Sequence, residues 1–277
     1  MTRLPVIEPL CQHSQGSCGA CCGIYNFTDR SADATAARLR RRTQKVREAW
    51  PEESALAAVR DQLLDEERPQ ILYATVKVCP FAGFVDDDRV GCLLHPTLHP
   101  TGEDLRHLAV YPREVCRDHF CAPHEWLRPI ERRLAQAAQG PAYGLVVTDA
   151  GLVKGVRALL EETLRRPLQL ADIDRASAAL AALWRDLIAW PHRDPDPRRF
   201  GGFVVQGDDA VERTIPSCLS GLDVGASRAA QVVLDGLGTL ALNEERAKRA
   251  LQDLRRLVHE AACAIDETLG EFAPRDG

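Results

Sequence analysis

The sequence predicts an α+β protein in which a small cysteine-rich module precedes a mainly α-helical domain. Two observations lead to this fold class. Eight of the ten cysteines lie in the first 121 residues, and only Cys218 and Cys263 follow them. Apolar residues at helical spacing take over where the cysteine pattern stops, near Glu125. We therefore expect one domain over residues 1–127 and a second over residues 128–277.

Inside the first domain, two helices are predicted to form an insertion over about residues 31–70. Ser31 or Asp33 can cap the first helix, because short polar side chains accept hydrogen bonds from amides of the first turn. That helix is expected to reach Trp50. Pro51 then suits the first turn of the second helix, where a missing amide hydrogen costs nothing.

Two β features are predicted after the insertion. Residues 71–78 are rich in β-branched and aromatic side chains and predict a strand. Residues 84–91 predict a hairpin that turns at three consecutive acids. Because Cys79 and Cys92 lie on either side of this hairpin, its turn can bring them together.

The second domain is predicted to consist mainly of helices, with a proline-broken connector at 190–197 and a short strand at 202–206. Asn243 is a good cap for the last helix. The predicted helices span residues 130–139, 149–165, 172–189 and 243–269.

The cysteines of the first domain fall into short motifs. Cys-Gly-Ala-Cys-Cys can wrap a tight turn around one ion, and its last two cysteines leave the chain in different directions. Cys-Pro-Phe, Gly-Cys-Leu-Leu-His-Pro and Cys-Arg-Asp-His-Phe-Cys follow. We expect all eight thiols to be metal ligands: Cys11, Cys18, Cys21, Cys22, Cys79, Cys92, Cys116 and Cys121.

Eight thiolates are enough for two complete tetrahedral sites. Soft sulfur ligands favour zinc, copper(I) or iron–sulfur clusters over magnesium or calcium. Four thiolates hold a structural zinc ion or a [4Fe–4S] or [2Fe–2S] cluster equally well, so the spacing leaves this choice open. Residues 1–127 are therefore predicted to be a metal-binding, metal-stabilised module.

The cysteines have two other interpretations. Buried reduced cysteines can act as small apolar residues, and a disulfide framework is typical of secreted proteins. Grouping of eight thiols argues against the first, and the lack of a secretory signal argues against the second. His95 and His119 lie inside the cysteine motifs and could replace a thiolate as ligand.

Charge and hydropathy bear on partners and location. The formal net charge is −5 at pH 7, so no nucleic-acid partner is expected. The run Arg40-Arg41-Arg42 is interpreted as a solvated helix face. Apolar runs are too short to span a bilayer, so we expect no membrane partner and a cytoplasmic location. The expected partners are metal ions and a protein partner or substrate.

The order of the motifs resembles the bacterial YkgJ-like family of cysteine-cluster proteins, described as zinc- or iron-chelating domains. The resemblance covers about residues 11–121. That family usually opens with Cys-x-x-Cys-x-x-Cys-Cys, but here Gln15 stands where the first cysteine would fall, and Cys11 can take its place. The family includes flagellin lysine methylases, so the resemblance implies an iron–sulfur cluster and S-adenosylmethionine as a further cofactor.

Three functions remain open at this point. The first is a metal-binding protein that holds zinc or an iron–sulfur cluster through its cysteines. The second is an iron–sulfur enzyme of redox or methyl-transfer type, which only the resemblance implies. The third is a metal carrier or sensor. The sequence has no phosphate-binding loop, dinucleotide fingerprint or nucleophile elbow, so it leaves enzymatic activity undecided.

Overall fold

The structure is a computed structural model of the chain. The chain divides into two compact units, one within Met1–His124 and one formed by Glu125–Gln206 with Val211–Gly277. Helices dominate and the sheets are small and antiparallel, which agrees with an α+β protein containing a helical domain. The structure describes residues 10–13, 16–87, 89–99, 101–119, 121, 123–139, 143–196, 199–200, 203–206, 211–214 and 217–270.

In its described residues, the first unit contains two long helices, one short helix and two small hairpins. A core of buried apolar side chains, including Val46, Leu56, Phe81 and Leu94, lies between the helices and the second hairpin. Its elements are β1 (Gln12–His13), β2 (Gly16–Ser17), α1 (Ala32–Ala49), α2 (Glu53–Glu67), β3 (Ala82–Phe84), β4 (Val90–Cys92) and α3 (Arg113–Asp118).

The two helices predicted for residues 31–70 are confirmed. The Ser31 hydroxyl accepts a hydrogen bond from the Ala34 amide at 3.2 Å and caps α1. Pro51 does not stand in the first turn of the second helix as expected, because α2 begins at Glu53. Apolar residues of both helices, such as Leu39 and Leu63, are fully buried.

The strand predicted over residues 71–78 is wrong. This segment forms turns, and only a single bridge joins Ile71 to Phe27. The side chain of Asn26 explains the difference, because its amide donates to the carbonyls of Tyr73 and Val76 at 2.8 and 2.9 Å. Its oxygen also accepts from the Tyr73 amide at 3.0 Å. These bonds satisfy the backbone locally and override the β propensity of the segment.

The predicted hairpin is confirmed as the antiparallel pair β3–β4, in which Ala82 faces Cys92. The Asp86 carboxylate accepts a hydrogen bond from the Arg89 amide at 2.9 Å and shapes the turn. Cys79 lies just before β3, and its carbonyl accepts a hydrogen bond from the Ala82 amide at 3.2 Å.

Within the second unit, helices pack around a core that includes Trp184, whose indole donates to the Leu134 carbonyl at 2.8 Å. The boundary between the two units falls in sequence within α4 (Pro123–Trp126). The elements that follow are α5 (Pro129–Gln136), α6 (Tyr143–Val147), α7 (Ala150–Leu164), α8 (Leu170–Arg175), α9 (Ser177–Ile188), β5 (Arg199–Phe200), β6 (Phe203–Gln206), β7 (Val211–Thr214), α10 (Arg228–Gly236) and α11 (Glu244–Gly270).

Most of the predictions for the second unit are confirmed, as α5, α7, β6 and α11 show. Asn243 caps α11 by accepting from the Arg246 amide at 3.0 Å. The single helix predicted over 172–189 is wrong, because the structure has α8 and α9 separated at Ala176. The helix also starts earlier, since the buried Asp172 carboxylate accepts the Gln169 amide at 2.9 Å in the first turn of α8. Among the described residues, no helix combines the length and apolar character needed to cross a membrane.

A buried ion pair joins α1 to the end of α2. The guanidinium of Arg42 donates to both carboxylate oxygens of Glu67, at 2.9 and 2.5 Å, and the two side chains are 0% and 1% exposed. The same guanidinium donates to the Cys79 carbonyl at 3.1 Å. The interpretation of residues 40–42 as a solvated helix face is therefore wrong for Arg42. Its side chain is buried and holds the backbone at Cys79.

We expect Arg42→Met to lower the free energy of unfolding by about 3–5 kcal/mol, because the Glu67 carboxylate would remain buried without its partner. Arg41→Met is the matched control, since Arg41 pairs with Glu66 in a largely exposed position. That change should cost no more than about 1 kcal/mol. Urea unfolding measures both, and equal losses would contradict this account of the buried pair.

Candidate metal centre

The first hairpin places Cys11 and Cys18 close together. Strands β1 and β2 are antiparallel, and the Cys18 amide donates to the Cys11 carbonyl at 2.9 Å. The Cys11 thiol is hydrogen-bonded to Cys121, which comes from the other end of the unit. Ends of the unit that are far apart in sequence therefore meet at these thiols.

Cys21 and Cys22 lie on a 3₁₀ turn, Ala20–Cys22. Gly23 ends the turn with a φ of 73°, and a Cβ at this position would lie 2.4 Å from the Lys77 carbonyl oxygen. Glycine is therefore required here by both conformation and space. The side chains of Cys21 and Cys22 are hydrogen-bonded to each other.

Cys79 and Cys92 lie at the two open ends of the second hairpin, near the 3₁₀ turn Ala20–Cys22. The Cys79 amide donates to the Cys22 carbonyl at 2.9 Å, which joins the turn directly to the segment before β3. Cys92 is the last residue of β4. Cys116 lies on α3, and the carbonyl of Cys121 accepts the His124 amide at 2.8 Å beyond that helix.

Electrostatic interactions divide the eight thiols into two groups. Cys121 interacts with Cys11, Cys18 and Cys21, and these four are called the first cysteine group. Cys79 interacts with the remaining thiols of the unit. The second cysteine group is Cys22, Cys79, Cys92 and Cys116. The two groups are joined at Cys21, whose thiol is hydrogen-bonded to Cys22 and also interacts with Cys79 and Cys116.

Two thiols of the first group ionise readily. The hydrogen bond from Cys22 lowers the pKa of Cys21 to about 6, and the hydrogen bond from Cys11 lowers the pKa of Cys121 to about 6. The same bonds raise the pKa of each donor, because ionising it would break the bond. These hydrogen bonds therefore favour the thiolate at Cys21 and Cys121, and the thiolate is the form that binds metal.

The remaining thiols are held protonated by their surroundings. Burial raises the pKa of Cys18 and of Cys92 to about 12, and desolvation also raises the pKa of Cys79 and Cys116. A metal ion must displace these protons, so binding there would depend on pH.

Positive charges lie beside both groups. Burial raises the pKa of Cys79, Cys92 and Cys116, and this rise is opposed by Arg42 at Cys79 and by Arg106 at Cys92 and Cys116, because the cations favour the thiolates. His119 has the same effect on Cys21 and on the thiol of Cys121. The guanidinium of Arg106 is itself held by the Asp104 carboxylate, at 2.8 and 2.7 Å.

Sequence analysis did not identify three residues that lie beside the thiols: Arg42, Arg106 and Tyr111. Arg42 falls in register with the apolar residues Leu39 and Val46, and a charged residue on the apolar face of a helix was the available signal. No comparable pattern marks Arg106. Tyr111 also lies beside the thiols of both groups, and burial raises the pKa of its hydroxyl.

The two histidines proposed as substitute ligands differ. His95 caps a 3₁₀ turn, and its ring accepts the Thr97 amide at 3.3 Å. His119 is exposed and interacts with thiols of the first group. Cys218 and Cys263 both lie in the second unit, and the thiol of Cys263 is 3.5 Å from the His259 ring nitrogen.

The eight thiols are the right kind of ligand for a thiolate-bound metal, and they come together in one unit. All ten cysteines lie within the described residues, and none forms a disulfide. In the part of the chain that is described, however, no three His, Cys, Asp or Glu side chains are arranged so that they could hold an ion. The thiols meet in hydrogen-bonded pairs instead, so binding would require their side chains to turn toward a common point.

No protein-family model, curated protein or solved structure matches the chain. The likeness to YkgJ-like proteins thus depends on the order of the cysteine motifs, and membership in that family is a proposal.

Replacing Arg106 should make metal binding more sensitive to acid. Arg106→Gln removes a cation that favours two thiolates and leaves the Asp104 carboxylate unpaired beside them. The pH at half-release of metal should rise by roughly one unit. Arg117→Gln is the matched control, because Arg117 lies next to Cys116 but is exposed and pairs with Asp118. A metal-release titration in which the two variants coincide would contradict this role of Arg106.

Proposed function

We propose that this protein binds metal, zinc or an iron–sulfur cluster, through the eight cysteine thiolates of its first unit. One observation supports the proposal most: thiols from distant parts of the sequence gather in one unit and interact with each other. Packing alone explains this poorly, because Cys21 and Cys116 are exposed and gain little from apolar burial.

The charges support the same proposal. Two thiols favour the thiolate at neutral pH, and two buried guanidinium groups and a histidine face the sulfur atoms. Soft thiolate ligands favour zinc and iron over hard cations. We propose a cytoplasmic location, because thiols that bind metal must stay reduced and the cytosol keeps thiols reduced.

A second candidate function is a catalytic metal centre or a centre that exchanges its metal. Exposure of Cys21 and Cys116 supports it, since a purely structural site is usually closed. An iron–sulfur enzyme of redox or methyl-transfer type, with S-adenosylmethionine, agrees with the resemblance to flagellin lysine methylases. A metal carrier or sensor requires the same exposure, and rapid exchange of bound metal would distinguish it.

Anaerobic purification followed by metal and sulfide analysis tests the proposal. We expect wild type and Cys263→Ser to contain the same amount of metal and Cys21→Ser to contain less. Both cysteines are exposed, so the comparison isolates the cluster from general thiol reactivity. A brown protein with iron and acid-labile sulfide would indicate an iron–sulfur cluster, and a colourless protein with tightly held zinc would indicate a structural site. Native protein without zinc, iron or copper would overturn the proposal.

Metal removal should unfold the first unit before the second. The first unit is small, and structural metal contributes on the order of 10 kcal/mol or more to the folding of such modules. The second unit has long amphipathic helices with a continuous buried face and no cysteine cluster. Limited proteolysis after chelation should leave a resistant fragment that begins near Glu125. A chelated protein with an unchanged, single cooperative melt would show that metal does not stabilise the fold.

A further inference from the structure

We propose that Cys263 and His259 form a further metal site, which lies on α11 of the second unit and binds zinc or an ion of similar chemistry. Thiolate sulfur and imidazole nitrogen are both common ligands of zinc. Two protein ligands hold the ion, and water fills its other coordination positions. The site is therefore open, and its ion exchanges with solution.

The helix places both side chains on one exposed face. Residues four apart in a helix are neighbours on its surface, and Cys263 and His259 are both exposed. The buried face of α11 includes Val258, Ala261 and Ile265, which anchor the helix in the core of the second unit. The pair therefore stands on a fixed backbone and is open to solvent, from which an ion can bind.

The distance between the two donor atoms suits a bound ion. Sγ of Cys263 lies 3.5 Å from Nε2 of His259. Zinc lies about 2.3 Å from a thiolate sulfur and about 2.0–2.1 Å from an imidazole nitrogen, so a tetrahedral angle at the ion places these two atoms about 3.5 Å apart. An ion can thus replace the proton between the two side chains with little change in the distance between their donor atoms.

The charges on the neighbouring turns of α11 permit a cation. Arg256, one turn before the pair, is bonded to the Glu260 carboxylate at 2.9 Å, and Arg255 donates to the Gly225 carbonyl at 2.7 Å. One turn after the pair lies the exposed carboxylate of Asp266. These turns therefore carry two carboxylates, which favour a cation, and two arginines that are bonded to other groups.

A site with two protein ligands binds zinc more weakly than the three or four ligands of ordinary zinc sites. We therefore expect its ion to be lost during purification and to return only when free zinc is supplied. Metal retained after purification consequently reports the first unit, and Cys263→Ser should leave that amount unchanged. Binding at α11 does not depend on metal binding by the cysteines of the first unit.

Alkylation of Cys263 by iodoacetamide in the full chain, with free zinc set by a metal buffer, tests the site. A thiolate that holds zinc is not free to act as a nucleophile. Free zinc at about ten times the dissociation constant should slow alkylation about tenfold, because roughly a tenth of the sites then remain empty. Cys263 is the only cysteine in its tryptic peptide, so mass spectrometry measures its labelling separately from that of the first unit.

Two variants of exposed residues show whether the imidazole is a ligand. His259→Gln keeps the thiol and should lose most of the protection by zinc. Glu260→Gln is the matched control, because it changes the next exposed residue and leaves both donors in place, and it should keep most of the protection. Alkylation of the wild type that does not respond to zinc, or equal protection of the wild type and His259→Gln, would overturn the assignment. An equal loss in the two variants would also overturn it, since local charge would then explain the effect.

Discussion

The crowding of eight thiols is the constraint on which the candidate metal centre of the first unit depends. Eight sulfur atoms lie within one small unit, and the charge on each ionised thiol raises the cost of ionising its neighbours. In the structure this cost is lowered by hydrogen bonds within two thiol pairs, Cys21–Cys22 and Cys11–Cys121. Cations beside the sulfur atoms, such as Arg42, lower it as well. A bound metal ion would offset it further, with two positive charges at the point where the thiolates meet.

The helical part of the first unit provides the rigidity that such a site requires. The Arg42–Glu67 pair joins α1 to the end of α2, and its guanidinium fixes the carbonyl of Cys79. The buried core continues directly into this segment, since Cys79 itself packs among apolar side chains. The helices over residues 31–70 are therefore more than an addition between two cysteine motifs. They position one side of the candidate centre.

How far the sequence predicts the structure depends on the range of the interactions involved. Caps at Ser31 and Asn243 were predictable, because both side chains bond within their own helix. The strand predicted at 71–78 was wrong because Asn26, distant in sequence, bonds its backbone into turns. The clustering of the cysteines could be predicted from the sequence. Their division into two groups and the burial of Arg42 depend on tertiary packing, which the spacing of residues along the chain does not determine.

Metal coordination by sulfur is the central claim, and X-ray absorption spectroscopy of the anaerobically purified full chain tests it most directly. Thiolate binding predicts that sulfur alone coordinates the metal directly, with four sulfur atoms per metal at about 2.3 Å if the metal is zinc. Iron would likewise show a sulfur shell, with a neighbouring iron where a cluster is present. A first shell of oxygen and nitrogen atoms would contradict thiolate binding and with it the explanation given for the gathered cysteines.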